Sequence, residues 1–266
     1  MISSVSRALA ILQFLASREE GVLASEIAAA TGTEKSAVSR ILATLEEEKY
    51  VVRSEANQYF VGLKLVSMGI LQLEIAGLLR LCLPSLRTIA NYSGELVQLA
   101  IAESDGLHYV AKADGKERVR VQPRLGSRAA LHATAVGKVW LASLPEELAL
   151  RLAVTAGLEP LTKNTITTVT QLRDELAQVR RAGFALNHQE TFSGVNGIAV
   201  PIRAQDETIV VGALLIVAPA FRMDDERAVS FLPLLKTQAE ELRGIEYLRR
   251  HGGLTLASQL ESLEVG

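Results

Sequence analysis

The first sixty residues alternate helical patterns with short breaks that carry helix-ending or helix-capping residues. One side of the first helix holds four apolar residues at helical spacing: Val5, Leu9, Leu12 and Ala16. A short second helix is predicted to begin at Ser25 as its N-cap and to bury Ile27 and Ala28. Gly32 then supplies a tight turn, and Thr33 is expected to cap the helix that follows.

That third helix, predicted over residues 34–48, has an apolar side and a side of small polar residues. The apolar side holds Val38, Ile41, Leu42 and Leu45. The opposite side carries Ser36, Arg40 and Ala43, flanked by Ser39 and Thr44. Two short helices joined by a glycine turn form a helix-turn-helix. Two β segments at 50–53 and 59–62, separated by turn residues, then predict a hairpin, which makes the motif a winged one.

Residues 63–80 are predicted to form a linker helix that is apolar nearly all round. Such a helix must be buried, and we expect a second copy of the chain to cover it, together with the first helix. The sequence therefore divides into a DNA-binding domain at 1–62, a linker helix at 63–80 and a C-terminal domain at 81–250. The tail at 251–266 is expected to be frayed.

The C-terminal domain mixes helices with strands that turn signals join into hairpins. Helices are predicted at 84–92, 146–153, 169–181 and 224–250, and a segment of small residues at 126–138 opens another. Strands are predicted at 96–102, 107–113, 184–187, 197–203 and 209–217. This order predicts an α+β domain built on an antiparallel sheet.

The amino-acid composition excludes several classes of protein but does not indicate a particular chemical activity. The 28 Lys and Arg against 30 Asp and Glu give a net charge of −2, so no global field favours nucleic acid. One cysteine and four histidines without ligand spacing exclude a disulfide scaffold and a metal site. No apolar run reaches the roughly 18–20 residues that span a bilayer. We expect a soluble cytoplasmic protein with no cofactor, no metal and no membrane partner.

A catalytic function is not indicated. The sequence lacks a Gly-x-Ser-x-Gly elbow, a phosphate-binding glycine loop and a His-Glu-x-x-His motif. Asn187, His188 and Ser193 are neighbours in sequence, but residues of one loop rarely form a triad. Cys82 lies between leucines and is expected to be an inert, packed thiol. We therefore assign no catalytic residue and do not expect an enzyme.

Five segments carry a family resemblance over nearly the whole chain. They are Ser4–Leu12, Lys35–Glu46, Leu131–Lys138, Arg181–Leu186 and Gly194–Ile202. In this order and at these separations, the chain resembles the IclR family of bacterial transcriptional regulators. The resemblance implies a winged helix-turn-helix, a linker helix and a C-terminal effector domain of the GAF/PAS-like kind. It also implies homodimers that often pair into homotetramers on DNA.

The predicted DNA-binding residues lie on or near the third helix. Small hydroxyls would allow close approach to the major groove, where Arg40 could reach a guanine edge or a phosphate. Thr33 and the helix N-terminus could hold a phosphate. The full set is Arg7, Thr33, Lys35, Ser36, Ser39, Arg40, Thr44 and Arg53. Residues 1–62 hold six Lys and Arg against eight Glu, so non-specific binding should be weak and dimeric, selective contact must compensate.

The predicted effector site combines a helix N-terminus with strand residues. The resemblance places the positions matching Ala135 and Val136 at the border of an effector pocket, where backbone N–H groups could face a ligand oxygen. The remaining residues are Asn187, Val195, Gly197, Leu215 and Val217. Relatives that bind small keto acids tend to have an acid at Asn187 and Cys or Ser at Gly197, Leu215 and Val217. The apolar wall here suits a larger or aromatic, weakly polar ligand better.

We therefore expect a ligand-responsive transcriptional regulator, acting as a repressor on double-stranded operator DNA. The alternative is a DNA-binding protein whose C-terminal domain serves oligomerisation only, with no small-molecule effector. Stabilisation by a metabolite would distinguish the two.

Overall fold

The computed structural model describes residues 3–104, 106–117, 125–204 and 209–248, and the chain divides into two units after Gly77. The N-terminal unit contains α1 (Ser3–Ala16), β1 (Val22–Leu23), α2 (Ala24–Thr31), α3 (Lys35–Glu47), β2 (Val51–Arg53), β3 (Gln58–Val61) and α4 (Leu63–Ile75). The three strands form an antiparallel sheet in the order β1-β3-β2. The helix-turn-helix and the hairpin are therefore present as predicted, and β1 adds a strand of two residues that the pattern did not indicate.

The core of the N-terminal unit is formed by the inner sides of α1, α2 and α3. Its fully buried side chains are Ile11, Ile27, Val38 and Leu42. Gly32 ends α2 at a φ of 61°, a left-handed conformation in which glycine has no steric penalty, and its N–H donates to Ala28 O. The predicted cap at Ser25 is wrong. Leu23 is the N-cap, and its backbone N–H donates to the Glu26 carboxylate at 2.8 Å.

The C-terminal unit has an α+β architecture. Its elements are α5 (Leu78–Ser93), β4 (Leu96–Glu103), β5 (Gly106–Ala113), α6 (Ala135–Ser143), α7 (Glu146–Ala156), α8 (Val169–Ala182), β6 (Ala185–His188), β7 (Val195–Arg203), β8 (Val210–Pro219), α9 (Asp225–Ser230) and α10 (Leu232–Leu242). The strands form one antiparallel sheet in the order β5-β4-β8-β7-β6. The predicted fold class is confirmed.

Helices cover both faces of this sheet. α5 and α10 pack on one face, while α6 contacts β7 and β8 on the other and is itself packed by α7 and α8. Successive strand residues point to opposite faces, so Ala100, Ala199, Ala213 and Leu215 share the α6 face. The alanines at three of these positions let α6 approach the sheet closely. Trp140, the single tryptophan of the sequence, is fully buried in this layer.

The predicted linker helix is interrupted. Gly77, at a φ of 60°, separates α4 from α5, so the unit boundary falls inside the 63–80 segment. No residue of α4 is buried, whereas Leu78, the first residue of α5, is fully buried in the C-terminal unit. The predicted 84–92 helix accordingly begins earlier, at Leu78, and continues through Pro84.

The predicted final helix is also broken. Its residues form α9 and α10, which meet at Phe231 immediately before the Leu232-Pro233 pair. Proline is favoured in the first turn of a helix and disfavoured in its interior, so Pro233 favours a new helix here, although α5 accommodates Pro84 in its interior. The predicted frayed tail at 251–266 lies outside the described residues.

Candidate DNA-binding surface and ligand cavity

The α3 helix presents the polar side that its sequence predicts. Val38, Leu42 and Leu45 are buried and Ile41 is half-buried, so the apolar side faces the core. The exposed positions on the other side include Ser36, Ser39, Arg40 and Thr44. The Thr44 hydroxyl donates back to the Arg40 backbone carbonyl at 3.2 Å, and the Arg40 side chain is exposed. A helix face with small side chains that is exposed among the described residues can approach the base edges of a major groove.

The four predicted cations differ in their surroundings. Arg7, Lys35 and Arg40 are exposed and have no ion-pair partner among the described residues. Arg53 is held within the wing, because its guanidinium donates to Asn57 Oδ1 and lies 5.6 Å above the Tyr59 ring centroid. Arg53 is therefore held in one position, whereas no ion pair with a described residue holds the other three side chains.

The predicted role of Thr33 as a helix cap is wrong. Glu34 is the N-cap of α3 and makes no side-chain capping bond. Thr33 is 8% exposed, and its hydroxyl donates to Thr31 O at 3.4 Å. Because that hydroxyl faces the turn, we leave the Thr33 side chain out of the proposed contact surface.

The C-terminal unit contains a cavity of about 580 Å³ between the start of α6 and the sheet. Six of the seven predicted effector residues line it: Ala135, Asn187, Val195, Gly197, Leu215 and Val217. Val136 does not line it, because its side chain is fully buried in the core. At this size the cavity can hold a ring with substituents.

The strand register places the apolar side chains of the cavity wall, which are Val195, Leu215 and Val217, next to one another. Val217 on β8 pairs with Gly197 on β7, which in turn pairs with Asn187 on β6. Leu215 lies two residues from Val217 on the same side of β8. A Cβ at Gly197 would lie 3.3 Å from the Leu215 side chain, so glycine here keeps space open beside the wall.

Asn187 lines the cavity, but both groups of its side-chain amide are hydrogen-bonded within the protein. Its Nδ2 donates to Ala133 O and to Thr191 Oγ1, and its Oδ1 accepts from the Glu190 N–H at 3.3 Å. The Thr191 hydroxyl also donates to Ala133 O, at 2.6 Å. Asn187 therefore anchors the 188–191 turn against the segment before α6.

Sequence reasoning missed other polar residues that line the cavity: Gln98, Tyr109, Ser127, Arg128, Thr134, Thr191 and Asn196. Burial raises the pKa of the Tyr109 phenol, and a hydrogen bond with Thr134 acts in the opposite direction. Tyr109 therefore stays neutral and keeps its proton. The available signal for Gln98 was its position as a polar residue in the apolar run of β4.

A buried ion cluster behind the cavity was also missed. Lys138 on α6 is 1% exposed, and its Nζ donates to Glu190 Oε1 at 2.6 Å, to Glu175 Oε1 at 2.9 Å and to Leu186 O at 3.1 Å. Glu190 is 4% exposed, and Glu175 lies on α8. Lys138 thus ties α6, α8 and the turn beside the cavity to one another.

The residues considered for catalysis have other roles. His188 pairs with Asp225 at 2.7 Å, and Ser193 is exposed. His132 is buried, and its Nε2 lies 3.0 Å from Glu159 O. Burial raises the pKa of the Cys82 thiol to about 11, so it is packed and unreactive near neutral pH. Within the described ranges no group of acidic, histidine and cysteine residues could hold a metal ion.

An exposed helix-turn-helix in one unit and a ligand-sized cavity in the other define the class of protein, a two-domain DNA-binding transcriptional regulator. The model of the IclR helix-turn-helix domain matches residues 4–55, and that of the bacterial transcriptional regulator IclR C-terminal domain matches residues 71–243. The chain belongs to the IclR family. It is a regulator of transcription rather than an enzyme.

Relatives and solved structures agree with this assignment. The transcriptional regulator KdgR of Escherichia coli K12 is 30% identical over 91% of both chains, and the transcriptional repressor AllR of the same strain is 28% identical over 93% of this chain and 92% of its own. The IclR regulator of Alicyclobacillus acidocaldarius has a TM-score of 0.79 at 26% identity, covering 91% of this chain and 98% of its own. The inducer-binding domain of PobR from Acinetobacter, a double mutant in complex with 3-hydroxybenzoic acid, has a TM-score of 0.55 at 28% identity, covering 60% of this chain and 94% of its own.

No single helix in the described part of the chain is long and apolar enough to cross a membrane. The α4 and α5 helices reach that length and composition only when they are counted together across their break.

Proposed function

We propose that this protein is a dimeric repressor that acts in the cytoplasm and binds operator DNA through α3 and the β2–β3 hairpin, which is the wing of the motif. Its affinity for the operator changes when a small aromatic metabolite binds in the C-terminal cavity. The observation that carries the proposal is the cavity itself. A domain that served oligomerisation only would have no need of a cavity of about 580 Å³ lined by both apolar and polar groups.

The DNA half of the proposal is supported by the exposed face of α3. Ser36 and Ser39 leave room for the backbone to approach base edges, and Arg40 can donate two hydrogen bonds to a guanine. Lys35, at the first turn of the helix, would contact a phosphate. Arg7 and Arg53 are proposed as phosphate contacts at the two sides of the motif.

The dimer is supported by apolar surface that is exposed in the part of the chain that the structure describes. The exposed large side chains of α1 and α4 are Val5, Leu9, Leu63, Val66, Met68, Ile70, Leu71 and Ile75. So many exposed large apolar side chains are costly in water and are typical of an interface. A second copy of the chain would bury them and place two α3 helices on two half-sites.

The repressor role is supported by the name of AllR, a transcriptional repressor. The aromatic ligand is supported by the apolar wall of Leu215, Val217 and Val195 and by the PobR domain, which is 28% identical and was solved with 3-hydroxybenzoic acid. A ligand alters DNA binding only if it binds two states of the protein unequally. We propose that α4, which joins the two units in sequence, carries that difference.

A melting scan of the full chain against a metabolite library tests the effector half. A compound present at about 100 times its Kd should add about 2.7 kcal/mol of stability and raise the melting temperature. If no compound raises it, the C-terminal domain serves oligomerisation only. The Val217→Trp variant is the matched control, because the added indole would fill the cavity and should remove the shift.

A further inference from the structure

Gln98 is a buried polar side chain that faces the cavity. It lies on β4, inside the sheet, where its Cα pairs with Leu215 on one side and with Lys112 on the other. Its side chain is 5% exposed and lines the cavity. None of the described residues forms a hydrogen bond with its amide.

The other polar groups around the cavity are largely used within the protein. Asn187 holds the 188–191 turn, and Tyr109 and Thr134 are hydrogen-bonded to each other. Thr134 also accepts from the Gly137 N–H as the N-cap of α6. A buried amide without a partner is costly, and native proteins rarely leave one unless water or a ligand completes it. Asn196 also lines the cavity, but its Nδ2 donates to Met223 O and only its Oδ1 lacks a partner. Gln98 is thus the lining amide of which the described residues use neither the carbonyl nor the NH₂ group.

The electrostatics of the cavity favour an anionic ligand. Its lining, as far as the structure describes it, contains no Asp or Glu, whereas Arg128 contributes a positive charge at the exposed rim. The first turn of α6, at Ala135, adds the positive end of a helix dipole. A carboxylate would lie toward these groups, and the ring that carries it would lie against Leu215 and Val217.

We propose that Gln98 recognises a second polar substituent, a ring hydroxyl, on an aromatic carboxylate bound in this cavity. This inference rests on the proposed function and specifies its ligand. The amide can accept from the hydroxyl through its carbonyl or donate to it through its NH₂ group. A ring without the hydroxyl leaves Gln98 unpaired and therefore binds more weakly.

The test compares ligands and side chains together. The probes are benzoate, 3-hydroxybenzoate and 4-hydroxybenzoate, titrated calorimetrically into the full-length wild type and into Gln98→Met, which keeps the side-chain length and removes the amide. Gln178→Met makes the same change on an exposed face of α8 and serves as the control. Equal urea midpoints, followed through Trp140 fluorescence, verify that both variants fold.

The wild type and Gln178→Met should bind the better hydroxybenzoate about tenfold more tightly than benzoate. In Gln98→Met that ratio should fall to about one, with the Kd for benzoate changed by no more than about threefold. An unchanged ratio in Gln98→Met, or equal affinities in the wild type, overturns the assignment. If no benzoate binds but another aromatic compound of the library stabilises the protein, the aromatic-acid assignment is overturned and the proposed function stands. If no compound binds at all, the proposed function itself fails.

Discussion

The Lys138 cluster offers a stability prediction whose size follows from its geometry. In Lys138→Met the apolar stem is replaced at similar length, and three hydrogen bonds to Glu190, Glu175 and Leu186 O are lost. Glu175 can regain water because its side chain is 26% exposed, but Glu190, at 5%, stays buried without its counter-charge. Removing one partner of a buried ion pair costs about 3–5 kcal/mol. We expect a loss in that range, arising mainly from Glu190.

A double-mutant cycle isolates this cause. Glu190→Gln alone should cost about 1–3 kcal/mol, because Lys138 keeps Glu175 as a partner. The variant Lys138→Met/Glu190→Gln has no buried charge left and should be more stable than Lys138→Met, with a coupling energy above about 1 kcal/mol. Additive losses, or a double variant less stable than either single one, would refute the reasoning.

Urea unfolding followed by tryptophan fluorescence is the appropriate assay. Trp140 is the single tryptophan and lies on α6, two residues from Lys138, so the signal reports unfolding of the C-terminal unit. Lys163→Met provides the control, because Lys163 is exposed and the same replacement there should change stability by less than about 0.5 kcal/mol.

The remaining predictions concern DNA, assembly, the ligand response and pH. Arg40→Ala should weaken specific operator binding by about 1–3 kcal/mol in titrations at fixed salt, without loss of stability, because Arg40 is exposed opposite the buried side of α3. Leu71→Glu should yield monomers in sedimentation and weaken operator binding, since Leu71 is 53% exposed on the uncovered α4 helix. Val217→Trp should abolish the effect of ligand on operator affinity while leaving ligand-free binding nearly intact. Burial raises the pKa of Cys82 from its usual 9.0 to about 11, so the unfolded chain loses the thiol proton at a lower pH than the folded protein does. The stability of the wild type relative to Cys82→Ala should therefore decrease as the pH rises from 9 towards 11.

Each of these expectations has a matched control or a contradicting result. Arg151→Ala removes an exposed cation of the C-terminal unit and should leave operator affinity unchanged. If Arg151→Ala weakens operator binding as much as Arg40→Ala does, the loss of positive charge alone explains both effects. Gln72→Glu adds the same charge to α4 without removing an apolar side chain and should stay dimeric. A monomeric wild type at micromolar concentration contradicts the dimer. A normal ligand response in Val217→Trp places the effector elsewhere, and a pH-independent difference in stability would show that Cys82 does not titrate as stated.

The sequence pattern correctly predicted those elements whose structure depends mainly on residues close in sequence. The α3 helix buries Val38 and Leu42 and exposes Arg40, because helical periodicity separates the two sides before any tertiary contact forms. The break at Gly77 could have been predicted from the glycine, but the apolar residues on both sides of it favoured one continuous helix. The burial of Leu78 depends on tertiary packing in the C-terminal unit, and the pattern of a single helix carries no information about that packing.

The candidate cavity was predictable in outline but not in its polar groups. The apolar wall follows from strand alternation and from the family resemblance, so Leu215 and Val217 were found. Asn187 was expected to contact the ligand, yet its amide is bonded to the loops beside it, while the amide of Gln98 faces the cavity. Which of two buried amides remains open depends on contacts between distant segments. The burial of Lys138 depends on Glu175 and Glu190 in the same way.

Operator affinity with and without ligand shows whether the protein is a ligand-responsive regulator. The full-length protein would first select its operator from random double-stranded DNA, and the Kd for that DNA would then be measured by fluorescence anisotropy at one salt concentration. The titration would be repeated with a saturating amount of the compound that raises the melting temperature. The account predicts that one DNA sequence is selected and that the ligand changes its Kd by roughly 5- to 150-fold. Failure to select a sequence, or a Kd that saturating ligand leaves unchanged, would contradict it.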